Sequence, residues 1–125
     1  MAGSARNTSN DPFPEQRLDT LFRATEVFRT GRDGASALQL AIFLLTASRA
    51  PVTIREIRGT LKAPATSIST ALAMLGEGND IRSRGGKSFG LIALEHHPED
   101  RREKVASLTA KGRHLVLSMR DALGN

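Results

Sequence analysis

The chain contains no cysteine, no tryptophan and no tyrosine. Without thiols there is no disulfide framework, no cysteine nucleophile and no thiol redox sensor. Phe is the only aromatic type, with five residues, so Leu, Ile, Val and Ala must do most of the packing. Long apolar runs are missing as well. The longest, "ALQLAIFLLTA" (37–47), is about half of the ~20 residues a membrane helix needs. The opening "MAGSARNTSNDPF" lacks the apolar centre of a signal peptide. Together these absences set the expectation of a cytoplasmic protein with no membrane partner.

What is present is a basic balance. Lys and Arg number 18 against 13 acids, a formal net charge of +5 over 125 residues. That length suits one domain, and the excess of cations favours a polyanionic partner, with nucleic acid first.

Residues 1–12 are small and polar and read as a flexible N-terminal arm; residues 13–125 form the domain. Pro14 suits a first helical position, and Glu15 and Asp19 suit the positive end of a helix dipole. Leu18, Leu21, Phe22, Thr25 and Phe28 then recur at helical spacing until Gly31 stops the helix. A second helix starts at Asp33 or Ser36 and runs to about Ala47. Its apolar residues cover nearly the whole circumference, which places it in the middle of the fold. Pro51-Val52-Thr53 is a short extended link. Thr53-Ile-Arg-Glu56 matches a capping box and opens a third helix over 54–61, burying Ile54, Ile57 and Leu61.

The fourth helix, about Pro64 to Leu75, turns Ile68, Ala71, Leu72 and Leu75 inward. At about 100° per residue its opposite face carries Thr66, Thr70 and Ala73, flanked by Ser67, Ser69 and Met74. "GEGN" ends it. A basic stretch, "DIRSRGGKSF" (80–89), precedes two strand candidates, "GLIALE" and "EKVASLT", around the charged turn "HHPEDRR"; this is a hairpin pattern. A last helix runs from Ala110 to about Leu123 with Leu115, Met119 and Leu123 in one row.

A capped short helix, a helix with a small polar face and a charged hairpin make a winged helix-turn-helix, a mainly α (α+β) fold. The wing residues go further. Gly90-Leu91-Ile92, Asp100-Arg101-Arg102 and Leu108-Thr109-Ala110-Lys111-Gly112 resemble the MarR (multiple antibiotic resistance regulator) family pattern, over about residues 36–118. The resemblance implies a cytoplasmic homodimer built by terminal helices that binds double-stranded DNA, usually as a repressor. Recognition helices enter successive major grooves of a pseudo-palindromic operator, and wings enter the flanking minor grooves. Arg102 stands where the wing-tip arginine enters the minor groove, with Asp100 as the carboxylate that orients it. Thr66, Ser67, Ser69 and Thr70 occupy recognition-helix positions. The resemblance also raises a small-molecule effector held between the dimer-forming helices and the DNA-binding lobe.

Three features depart from the pattern. Between Ala65 and Met74 there is no Arg or Lys, which leaves bidentate guanine readout without its usual side chain. About ten residues, 80–89, are inserted before the Gly-Leu-Ile strand, and the long C-terminal helices are reduced to one short helix.

The wing charges have a physical account in this setting. Phosphates attract Arg101, Arg102 and Lys104 with release of counterions, and a narrow minor groove rewards an inserted Arg. Outside that context the same turn is a solvated, self-paired charge cluster. The hydroxyl face of the fourth helix suits phosphates, base edges and thymine methyls, or is a plain exposed face. "RGGKS" (84–88) fails as a phosphate-binding P-loop because Ile81 stands where Gly is needed. It reads instead as a loop whose Arg82, Arg84 and Lys87 track the DNA backbone, or as a surface insertion. His96 and His97 adjoin Glu95, Glu99 and Asp100, but neighbours on a hairpin seldom converge on one ion, so no metal or other cofactor is expected. No acid/base pair or nucleophile has a partner at catalytic spacing, and an enzyme is not expected. The rival readings are a winged-helix protein-interaction module without specific DNA binding and a non-specific architectural DNA binder.

Overall fold

The computed structural model describes residues 15–32, 35–77 and 88–124. The arm expected over residues 1–12 lies outside them, as do Arg82, Arg84 and Lys87. Among the described residues the order is α1 (Glu15–Arg29), α2 (Ala37–Arg49), β1 (Val52–Thr53), α3 (Ile54–Leu61), α4 (Ala65–Leu75), β2 (Ile92–His96), β3 (Lys104–Leu108) and α5 (Ala110–Ala122). The strands form one antiparallel sheet in the order β1-β3-β2. This is a winged helix-turn-helix, with α3 and α4 as the helix pair and the β2–β3 hairpin as the wing.

Local chemistry sets the element boundaries. Ser36, not Asp33, starts α2: its hydroxyl accepts from the Gln39 N–H while the Gln39 side chain accepts from the Ser36 N–H, both at 3.1 Å. Thr53 and Glu56 make the same reciprocal cap for α3, both at 3.0 Å. These bonds satisfy donors that a helix start leaves orphaned. The two hydrogen bonds from Thr53 hold the Glu56 carboxyl below its ordinary range, with Arg49 adding to the effect. Helix α1 gives way to a turn in which Gly31 takes a left-handed conformation, φ 84, where a Cβ would be strained. Between α3 and α4 the chain turns through Lys62, which is left-handed at φ 54.

Helix α2 runs through the centre, with Ile42 and Phe43 fully buried. Phe43 meets Phe28 of α1 at a centroid distance of 5.4 Å, within the range of tilted aromatic pairs. Ile57, Ile68, Leu72, Leu75, Leu91 and Ala106 complete the core around it. Helix α2 packs on α4, and α1 packs on α5.

Five expectations need correction. The apolar cover of α2 is incomplete, since Leu44 is exposed. The link at Pro51-Val52-Thr53 contains a short strand: Val52 pairs with Ala106 and Thr53 with Val105. Helical spacing in α1 identified an apolar stripe, yet Leu18, Leu21 and Phe22 are each more than half exposed at 57%, 55% and 59%; among the described side chains of α1 only Ala24 and Phe28 are buried. Leu123 of the α5 row is exposed as well, while Leu115 and Met119 are buried. Ala73, expected on the outer face of α4, is buried. The chain doubles back along the end of that helix: Phe89, Gly90 and Leu91 donate to the Met74, Gly76 and Leu75 carbonyls at 2.7, 2.7 and 2.8 Å. The outward face of α4 is thereby shortened to its N-terminal turns.

Candidate nucleic-acid interface

Helix α4 begins without a side-chain cap, because Pro64 occupies the N-cap, so its first N–H groups stay available to an acceptor. Thr66 and Thr70 are exposed, while Ser67 and Ser69 are half-buried on the flanks. An open cleft of about 350 Å³ separates this face from the start of α2, with Ser36 and Gln39 on one side and Thr66, Ser67 and Thr70 on the other. Leu38 and Ala71 complete its lining, and among the described residues no charged side chain lines it. Its donors suit phosphate oxygens or base edges.

The wing turn is organised by its own backbone. His97 N–H donates to the Glu103 carbonyl at 2.8 Å, and Glu103 N–H donates to the Asp100 carbonyl at 2.9 Å. Both histidines serve this turn. His96 Nδ1–H donates to the Arg101 carbonyl at 2.7 Å, and His97 Nδ1 accepts from the Glu99 N–H at 3.0 Å. No group of three or more His, Asp or Glu residues converges on a metal-sized site among the described residues.

Asp100 Oδ1 accepts from the Arg102 N–H at 3.1 Å and from its Nε at 3.4 Å. The Arg102 side chain is otherwise almost bare, 94% exposed against 43% for Asp100. One carboxylate therefore bonds both the backbone and the Nε of Arg102, while the rest of the side chain stays exposed. Arg101 and Lys104 are also exposed.

Two joints tie the wing to the helices. At its turn end Glu103, largely buried, forms an ion pair with Arg55 of α3, Nη2 to Oε2 3.4 Å. At its far end the Leu-Thr-x-x-Gly segment joins β3 to α5. Thr109 caps α5 by accepting from the Gly112 N–H at 3.0 Å, and its hydroxyl donates to the Gly90 carbonyl at 2.6 Å. Its own N–H bonds the Leu91 carbonyl at 3.0 Å. A Cβ on Gly112 would overlap that same carbonyl oxygen, so only glycine permits the approach.

The hydroxyls of α4 and the cations of the wing thus belong to one packed body, joined through α3 and through the chain returning from α4 to β2. Sequence reasoning missed Arg55, whose pairing with Glu103 joins residues 48 positions apart. It also missed the Ser36–Gln39 side of the cleft, although Ser-x-x-Gln is itself a capping signal.

No family model matches this sequence, and no curated protein matches it. Solved structures do. A transcriptional regulator from Thermotoga maritima shares the fold with a TM-score of 0.69 at 18% identity, covering 89% of this chain and 69% of that one. A mutant MarR from E. coli complexed with operator DNA gives a TM-score of 0.58 at 15% identity, over 88% and 66% of the two chains. BpsR from Bordetella bronchiseptica, whose DNA binding is regulated by 6-hydroxynicotinic acid, gives 0.54 at 17% identity, over 94% and 77%. The chain therefore has the winged helix-turn-helix fold of MarR-type regulators, and no described helix is long and apolar enough to cross a membrane.

Proposed function

We propose that the protein is a double-stranded DNA-binding transcriptional regulator, a repressor that recognises a pseudo-palindromic operator as a homodimer. The observation that carries this reading is Arg102: an exposed cation at the tip of a wing, tethered at its Nε by Asp100, on a fold shared with a MarR bound to operator DNA. A narrow minor groove concentrates negative potential and favours an inserted Arg. Arg101 and Lys104 sit beside it to meet phosphates. Thr66, Ser67, Ser69 and Thr70 enter the major groove, where short side chains allow the helix a close approach. Arg82, Arg84 and Lys87 contribute contacts to the DNA backbone.

Leu18, Leu21 and Phe22 of α1, with Leu117 of α5 and Leu123 just past its end, are exposed on two helices that pack on each other. Apolar surface of this kind suits a second copy of the chain. Two-fold symmetry then places half-sites about one helical turn apart. The likeness to BpsR supports an effector for this chain too.

A gel shift with salt titration on the DNA upstream of the protein's own reading frame, with random duplex as competitor, tests the reading. Affinity for that DNA should exceed affinity for random duplex and fall steeply with salt. Arg102→Ala should weaken it by about 1–3 kcal/mol. The charge-free face of α4 favours one rival, a protein-interaction module, and unchanged affinity in Arg102→Ala would support that rival.

A further inference from the structure

The hydroxyl face of α4 leaves one physical requirement unmet. Duplex binding draws much of its free energy from cations on phosphates, yet α4 has neither Lys nor Arg. Helix α3 carries two cations, Arg55 and Arg58, at i, i+3 spacing, which at about 100° per residue lie roughly 60° apart, and Lys62 follows at its C-cap. All three are exposed, and the helix buries Ile57 on a different side. The carboxylate of the helix, Glu56, lies on the opposite flank, occupied by the Thr53 N–H and hydroxyl. It does not neutralise the row.

Both ends of the row are anchored. Arg55 reaches the wing turn through its ion pair with Glu103 while its side chain stays 79% exposed, leaving most of the five guanidinium N–H donors unused. Lys62 stands in the left-handed turn that leads into α4. The row therefore runs from the element proposed to enter the minor groove to the element proposed to enter the major groove. The sugar–phosphate strand that separates those two grooves passes between them.

We propose that Arg55, Arg58 and Lys62 form a phosphate grip on that strand, supplying the sequence-independent cationic contacts that α4 lacks. The assignment rests on the DNA-binding reading above and adds to it a division of labour: α3 holds the backbone, and α4 and the wing read the grooves.

Fluorescence anisotropy over a KCl series tests it, with a short random-sequence duplex beside the upstream duplex as probes. Removing one cation from a phosphate lowers the slope of log affinity against log salt by about 0.9. The triple variant Arg55→Gln, Arg58→Gln, Lys62→Gln is therefore expected to show a slope shallower by about 2.7 for each chain bound, and so about twice that for the homodimer, on both duplexes. Arg120→Gln, an exposed change on α5, should leave the slope in place, which separates direct phosphate binding from net charge. Thermal unfolding checks that the triple variant folds. Where it does not, the three single variants carry the test, each expected to lower the slope by about 0.9 for each chain bound. An unchanged slope in the variants overturns the grip and leaves the regulator reading standing. Failure of the unmodified protein to bind either duplex overturns both.

Discussion

A Cβ at Gly112 would overlap the Leu91 carbonyl oxygen, a backbone atom already bonded by the Thr109 N–H. A flexible side chain could swing aside; this oxygen cannot without breaking the β3–α5 joint. Gly112→Ala should therefore cost about 1–3 kcal/mol, the range for overpacking a filled site. Gly59, inside α3 with nothing within 4 Å of its virtual Cβ, should respond in the opposite sense: Gly59→Ala is expected to stabilise by about 0.5–1 kcal/mol through helix propensity. Urea unfolding of the two variants gives both signs. Asp100 offers a second sign test. Simple charge counting says that removing a carboxylate from a DNA-binding surface strengthens binding. If Asp100 holds Arg102 in its productive direction, Asp100→Ala weakens binding instead, by up to ~1 kcal/mol, the scale of an exposed ion pair. Anisotropy on the upstream duplex decides between them.

At the scale of the element, α3 shows how far a cap can define a helix. Its expected span, 54–61, matches Ile54–Leu61 because Thr53 and Glu56 mark the start in sequence as well as in space. Thr53→Ala should destabilise the protein by ~1 kcal/mol, measured by urea unfolding. Glu56 adds a pH dependence. Its carboxyl is held below the ordinary value of 4.5, so the cap contributes fully above that value and is lost as pH falls through the lower folded-state value. Glu56→Gln should flatten that part of the acid limb of a stability-versus-pH curve.

Other elements were less legible. Strand β1 is two residues long, too short for alternation to register, and its partner β3 lies some 50 positions downstream. The hairpin was readable because two apolar segments flank a dense charged turn. The roles of its charges were not, because pairing between Glu103 and Arg55 depends on tertiary approach. In α4 the inward stripe was correct, but burial of Ala73 comes with a returning chain that no helical wheel contains. The cations of α3 were present at helical spacing and went unread, since attention falls on the helix expected to enter the groove.

For the whole molecule, the exposed side of α1 is the feature that one chain alone does not explain. Periodicity identifies an apolar stripe that water disfavours; it does not say whether the cover comes from the same chain. Leu21→Glu with Phe22→Glu, at positions 55% and 59% exposed, should leave the folded monomer near its original stability, since surface changes typically stay within about 0.5 kcal/mol. If a second copy covers the stripe, the solution mass by sedimentation should fall from two chains to one. A double variant whose mass equals that of the original protein would remove this surface from any dimer. Operator affinity should fall with the mass, because two half-sites held by one particle gain from effective concentration.

Strand β3 ends at Leu108 and helix α5 begins at Ala110, with Thr109 bonded on both sides. A chain that passes from strand to helix through one doubly fastened residue has no hinge at that point. A tilt of α5 is transmitted to the base of the wing as a lever transmits rotation, without slack. If two copies pair through α5, the reach between the two arginine tips is set like the jaws of a caliper, by the angle between those helices.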